Sequence, residues 1–108
     1  IKLEIDRDTL YLATAIATYI ENNPMESDFF SMRPDIEENI FAESLGLLGQ
    51  ARNSMIKHDT IGYIYLDRGQ YCVLEAMFWF GRNFGDDVAE LEELHDDIWN
   101  VDFPLSKI

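Results

Sequence analysis

Carboxylates between residues 86 and 97 are the groups in this sequence whose type and spacing most suggest a chemical role. If residues 86–100 form one helix, successive side chains turn by 100° and four acids fall within about 60° of one another. These four are Asp86, Glu90, Glu93 and Asp97, and Asp87 and Asp96 flank them. No Lys or Arg occurs between Asp86 and Asp102. The sequence therefore predicts an uncompensated row of anions on one side of the last helix.

Such a row suits a basic surface on another protein. Residues four apart rise about 6 Å along a helix, which is in the range of the phosphate spacing along a DNA strand. Like charges at this spacing cost a helix about 0.2–0.5 kcal/mol per pair. We therefore expect a non-enzymatic inhibitor, either a nucleic-acid mimic or of the immunity type, that occludes the nucleic-acid-binding surface of a nuclease or a similar basic partner. The simpler interpretation is an acidic face that only keeps the protein soluble.

A second group of acids lies earlier in the chain. It comprises Asp35, Glu37, Glu38 and Glu43, with Asp28 nearby. These acids would extend the row if the two helices lie side by side, so we include them among the expected partner-binding residues.

The remaining candidates give no specific prediction of catalysis. Glu92-x-x-His95 has the spacing of a di-iron ligand pair, but it occurs once, and His58 has no matching glutamate. Glu75 interrupts an apolar run and is expected to pair with Arg68, Arg82 or a tyrosine hydroxyl. We expect no metal, no cofactor and no enzymatic activity.

Cys72 is the single cysteine, so it cannot form a disulfide within the chain. Its sequence neighbours are apolar, which predicts a protonated, unreactive thiol. The sequence also lacks an Asn-x-Ser/Thr acceptor. These features favour a reducing, cytoplasmic setting. Because the chain begins at Ile1 rather than at a methionine, removal of an earlier targeting segment stays open.

Composition sets the scale of the fold. The 108 residues are 47% hydrophobic and carry a net charge of −13, which predicts one folded acidic domain spanning residues 1–108. So large an excess of acids argues against direct binding to nucleic acid or to an anionic membrane. The longest apolar run, residues 71–80, is about half the length that spans a bilayer. We therefore expect no transmembrane helix.

The elements that must position these residues are mainly helical. Apolar periodicity and end signals predict a bundle of about four helices. Their expected limits are Asp8 or Thr9 to Asn22, Pro34 to Ile56, Gln70 to Asn83, and residues 86–100. Residues near 2–6 and 60–66 are candidates for a short two-stranded β element. The last helix is expected to bury Val88, Leu91, Leu94, His95, Ile98 and Trp99.

A stripe of small residues in the second long helix leaves an alternative function open. Ala42, Gly46, Gly49 and Asn53 recur on one side, which indicates a break near Gly46, a close helix or partner contact, or an exposed surface without a role. Together with surplus aromatic residues such as Trp79 and Phe80, this stripe favours a helical interaction or oligomerisation module. A homodimer is one form of that alternative.

Overall fold

An antiparallel pair of strands and three long helices organise the chain. A computed structural model describes residues 1–55 and 61–102. Its strands are β1 (Lys2–Asp6) and β2 (Ile61–Tyr65). Its helices are α1 (Arg7–Asn22), α2 (Phe29–Met32), α3 (Glu38–Ser54), α4 (Arg68–Phe84), α5 (Ala89–Glu92) and α6 (His95–Trp99). A 3-10 turn at Gly85–Asp87 joins α4 to α5. The prediction of a mainly helical fold with a small two-stranded sheet is confirmed.

The two strands pair at the positions where the sequence predicts a short β element. Leu3 lies opposite Ile64 and Ile5 lies opposite Gly62. These side chains face the core, where Leu3, Ile5 and Ile64 are buried. The other face of β2 carries three exposed residues, namely Ile61, Tyr63 and Tyr65.

Helix α1 follows β1 without a loop. The Asp6 carboxylate accepts a hydrogen bond from the backbone N–H of Thr9 at 2.6 Å and so caps the helix. The expected caps, Asp8 and Thr9, therefore lie inside the helix. The inward face of α1 carries its apolar residues, since Leu10, Leu12, Ala13, Ile16, Ala17 and Ile20 are all buried.

The segment before α3 contains more structure than the sequence indicates. Between the predicted helices that end at Asn22 and begin at Pro34 lies the short helix α2. It buries Phe29 against the rings of Phe41 and Phe80, at centroid distances of 5.8 and 5.9 Å. Residues after Pro34 form a turn in which the Ile36 N–H bonds to the Arg33 carbonyl. This turn buries Ile36, so α3 begins at Glu38 rather than near Pro34.

Helix α4 is the central helix, as its nearly continuous apolar pattern predicts. A capping box starts it, in which Asp67 accepts from the Gln70 N–H and the Gln70 side chain accepts from the Asp67 N–H. At Gly81 the helix lies so close to Ile16 and Ile98 that a β-carbon would approach Ile16 Cδ1 to 2.7 Å. Helices α1, α4 and α6 therefore meet at this glycine.

The expectation of one helix over residues 86–100 is wrong. Val88 is extended, with φ −117° and ψ 119°, and the Leu94 N–H bonds to the Leu91 carbonyl in a tight turn. No side chain caps the start of α5. Repulsion within a row of like charges also disfavours one long helix over this segment. Turning the chain in short steps buries both Leu91 and Ile98. Trp99, expected to be buried, is 53% exposed.

The buried apolar residues form one contiguous cluster. Within residues 1–55 and 61–102, no helix combines the length and the apolarity that crossing a bilayer requires.

Candidate acidic binding site

The acids predicted to form a row are all at the surface. Asp86 and Asp87 lie in the 3-10 turn, Glu90 in α5, Glu93 in the turn after it, and Asp96 and Asp97 in α6. Each is exposed. None forms an ion pair with a basic side chain in the described part of the chain. The absence of compensation was predicted, but the extended Val88 separates Asp86 and Asp87 from the rest.

Glu90 borders helix α1 instead of pointing away from the body of the protein. It lines a groove of about 450 Å³ with Thr18, Tyr19 and Asn22 of α1 and with Arg52 of α3. Burial raises the pKa of the Tyr19 phenol, and the nearby carboxylates of Glu90 and Glu26 raise it further. The Glu90 carboxylate is therefore close enough to α1 to affect the pKa of Tyr19.

Asp97 lies at the other end of α1, in a groove whose lining contains three further carboxylates. We call this cavity the acidic groove and define it by Asp6, Asp8, Asp97 and Asp102. Its volume is about 550 Å³, and Tyr11 and Asn100 also line it. Among the residues that the structure describes, no Lys or Arg lines it. The groove thus concentrates negative charge from β1, α1, α6 and the segment after α6.

Sequence reasoning found Asp97 and missed the other three acids of the groove. Asp6 and Asp8 carry only the signals of a helix start, and the Asp6 carboxylate does cap α1. In the sequence, Asp102 indicates only the end of the acidic segment. They meet because α6 packs on both α1 and α4, a contact that no local pattern encodes.

The second predicted group of acids lies around the start of a different helix. Helix α3 packs on α1, α4 and β2, and among the main contacts of the described elements it has none with α5 or α6, so the structure does not place the two helices side by side. Glu37, Glu38 and Glu43 are exposed. Asp35 is neutralised by Arg33, whose guanidinium lies 3.0 Å from its carboxylate. This hydrogen-bonded pair lowers the pKa of Asp35 below its usual value.

Glu92 and His95 lie in different surroundings, since His95 contacts other groups of the fold and Glu92 is at the surface. His95 Nε2 lies 2.9 Å from the Arg82 carbonyl oxygen and 3.0 Å from the Trp99 indole nitrogen, while Glu92 is exposed. Among the residues that the structure describes, no group of three or more His, Cys, Asp and Glu side chains is arranged to hold a metal ion.

Both tryptophans and two arginines define a second groove, which we call the aromatic groove. It has a volume of about 500 Å³. Its lining residues are Arg33, Cys72, Glu75, Phe78, Trp79, Arg82, Asn83 and Trp99. The Arg33 guanidinium lies over the Trp79 ring at 5.7 Å, and that of Arg82 lies over the Trp99 ring at 5.4 Å.

Cys72 and Glu75 both line this groove. Cys72 is exposed, although its sequence neighbours are apolar, because the helix turns it to the outer side of α4. Glu75 is half-buried and faces Arg33, whose pKa is raised chiefly by the Asp35 hydrogen bond, with smaller contributions from other groups including Glu75. The expected hydrogen-bonded partners of Glu75 are not seen in the described residues. Arg82 instead donates to the carbonyl oxygens of Trp99 and Val101.

The stripe of small residues on α3 faces outward. The helix continues through Gly46 and Gly49, so the predicted break is wrong. A β-carbon at either glycine would meet no atom within 4 Å, so no other part of the described chain packs closely there. A contact with a partner at this stripe stays a prediction.

Comparison of the chain with models of protein families, with curated proteins and with solved structures gave no match. The candidate site is therefore defined by the geometry and charge of this chain's own residues.

Proposed function

We propose that this protein binds a basic surface of another protein, with the acidic groove as the centre of contact, and blocks that surface by occupying it. The observation that carries the proposal is the set of four carboxylates lining one cavity to which no Lys or Arg of residues 1–55 and 61–102 contributes. Folding has gathered like charges there, which costs free energy unless something compensates. A cationic side chain from outside is the natural compensation.

The chemistry of the groove fits a Lys or Arg side chain. Asp97, Asp8 and Asp102 are exposed and have no ion-pair partner in the described chain, so their oxygens are available as acceptors. Asp6 keeps one oxygen on the Thr9 N–H. An arginine fork bonds carboxylates with two parallel hydrogen bonds, and such charge-assisted bonds are about twice as strong as neutral ones. The exposed acids around the groove would speed the encounter by attracting the basic surface.

The aromatic groove supplies the apolar part of such an interface. Trp99 belongs to α6, the same helix that carries Asp97, and Trp79 lies 38% exposed on α4. Trp and Arg are the residues that most often carry binding energy at protein interfaces. A partner that covers α6 would meet both the acids and these rings.

A protein that binds nucleic acid, such as a nuclease, is the class of partner that presents a broad basic surface. Covering that surface would exclude the nucleic acid by occlusion. Imitation of a phosphate row along one helix is not part of this proposal, because the acids lie on three short helical segments.

The test begins with capture of a partner from a lysate of the source cell at low salt and its elution by salt. The purified partner is then titrated with a groove variant carrying Asp8→Asn, Asp97→Asn and Asp102→Asn. We expect binding at least about tenfold weaker, equivalent to about 1.4 kcal/mol. The matched control carries Glu37→Gln, Glu38→Gln and Glu43→Gln, which removes the same charge from α3 and should change affinity by less than about threefold.

Folding is monitored in the same variants by thermal unfolding. Neutralising clustered acids removes repulsion, so the groove variant should be at least as stable as the parent. Equal affinity of the parent and the groove variant, or equal losses in the groove variant and the control, would overturn the proposal.

A second candidate function is the interaction module in which acidity only maintains solubility. The exposed aromatic groove, with two tryptophans under two guanidinium groups, is the observation that favours it. Salt separates the two functions, because apolar association is not weakened between about 50 and about 500 mM salt, whereas attraction between exposed charges is largely screened.

A further inference from the structure

The outer edge of β2 is an unpaired strand edge whose backbone pattern fits a second copy of itself. The Ile1 nitrogen donates to the Leu66 carbonyl at 2.7 Å, and the Leu66 N–H donates to the Ile1 carbonyl at 2.8 Å. Hydrogen-bonded pairs alternate along an antiparallel ladder, so the next two are Leu3 with Ile64 and Ile5 with Gly62. The backbone groups of Ile61, Tyr63 and Tyr65 must therefore point away from β1.

These outward groups have no backbone partner in the described chain. Unpaired strand edges associate readily with other strands, and proteins usually protect them with charged residues or proline. Strand β2 has the sequence Ile-Gly-Tyr-Ile-Tyr, with neither, in a chain that is 27% charged. The opposite edge differs, because the outward groups of β1 belong to Lys2, Glu4 and Asp6. The unprotected edge of the sheet is that of β2.

We propose that two copies of this protein associate through their β2 edges to form a four-stranded antiparallel sheet. The outward residues are symmetric about Tyr63, so a two-fold axis places Tyr63 opposite Tyr63 of the second copy and Ile61 opposite its Tyr65. All outward N–H and C=O groups of the strand then find partners in a single register. A strand that presents the same groups to itself forms a closed, self-complementary interface.

The exposed side chains of β2 also favour a second copy of this chain as the partner. Ile61, Tyr63 and Tyr65 are 46%, 49% and 68% exposed and lie on one face of the strand. Across the new ladder they form Tyr–Tyr and Ile–Tyr pairs, the aromatic and β-branched combinations that stabilise antiparallel sheets. Strand β2 carries no charge, and the Lys2 ammonium of the same chain already lies over its Tyr63 and Tyr65 rings, at 4.6 and 5.6 Å from their centroids, so a basic partner finds no carboxylate on this strand. A second copy gains the full ladder.

This interface uses none of the acids of the acidic groove, so the dimer can be tested independently of the proposed function. The two associations also respond to salt in opposite directions. Each copy carries a net charge of −13, so copies repel and salt strengthens the dimer. Salt weakens binding to a basic partner.

The test is sedimentation equilibrium of the full chain from micromolar to millimolar concentration. We expect a reversible monomer–dimer equilibrium that shifts toward dimer between about 50 and about 500 mM salt. Tyr63→Lys places two like charges opposite each other at the axis and should weaken the dimer at least about tenfold. The matched control is Tyr11→Lys, the same change at a 61% exposed tyrosine on α1, which should alter the dimer constant by less than about threefold.

Amide hydrogen exchange identifies the edge directly. The N–H groups of Gly62 and Ile64 lie in the ladder with β1 and should be protected at every concentration, which also reports that the hairpin is folded in each variant. The N–H groups of Tyr63 and Tyr65 should become protected only as the dimer forms. A monomer at all concentrations overturns the proposal, as does a dimer that leaves these two amides unprotected. Protection that appears only when a strand from another protein is added also overturns it.

Discussion

Replacement of glycine by alanine should have opposite effects on stability in α3 and α4. At Gly46 a β-carbon meets no atom within 4 Å, so Gly46→Ala gains helix propensity without a steric cost. The expected stabilisation is about 1 kcal/mol. For a domain of this size, it raises the melting temperature by about 4–8 °C.

At Gly81 the same substitution meets a full core. The new β-carbon would lie 2.7 Å from Ile16 Cδ1 and 3.2 Å from Ile98 Cγ2, and both isoleucines are completely buried. Overpacking of this kind costs about 1–3 kcal/mol. Since helix propensity returns about 1 kcal/mol, Gly81→Ala should destabilise the protein by up to about 2 kcal/mol.

Urea unfolding followed by circular dichroism measures both variants against the parent. The two free energies of unfolding should differ by about 1–3 kcal/mol, with Gly46→Ala above the parent. A Gly81→Ala variant as stable as Gly46→Ala would refute the close meeting of α1, α4 and α6. A Gly46→Ala variant less stable than the parent would refute the open, regular helix at that position.

Three further predictions concern the fold and the electrostatics around the site. Asp67→Ala removes the capping box of α4 and should lower the free energy of unfolding by about 0.5–2 kcal/mol in urea titrations, whereas Asp67→Ser should retain most of it. Arg82→Met removes the donors to the Trp99 and Val101 carbonyls and should cost about 1–3 kcal/mol, with a shift in tryptophan fluorescence below the unfolding temperature. Because the pKa of Tyr19 is raised in the folded state, its contribution to stability is complete below pH about 10 and is lost as the pH rises through the raised pKa. Tyr19→Phe should remove this alkaline loss, and Glu90→Gln should lower the Tyr19 pKa measured from phenolate absorbance; an unchanged value would contradict the placement of Glu90 beside α1.

Local pattern was sufficient for the elements that have a strong period. The predicted first helix is present as α1, and the longest apolar run lies in the central helix α4. The alternation of Lys2–Asp6 and the β-branched and aromatic content of Ile61–Tyr65 predicted the two strands. In each case the residues that must leave water recur at the spacing of the element itself, so neighbours along the chain carry the information.

Apolar periodicity gave a wrong prediction in one short segment, where the local helical pattern competes with packing against other helices. Residues 86–100 have the pattern of one amphipathic helix, yet Val88 is extended and the segment bends in steps toward α1 and α4. The apolar periodicity also did not decide which positions become exposed, as Trp99 and Cys72 show. The shape of the core at the end of α4 sets the path of the chain there.

The sequence by itself determined the long helices, the strand pair and a net charge that favours a basic partner, because these depend on composition and on spacing along one element. Only the tertiary structure brought Asp6, Asp8 and Asp102 to Asp97, and only it left the β2 edge unpaired. The physical reason is that charge density in space, like strand pairing, depends on which elements become neighbours. Burial of Ile98 against Gly81 and of Leu91 against Gly85 makes that choice. The charged residues themselves do not.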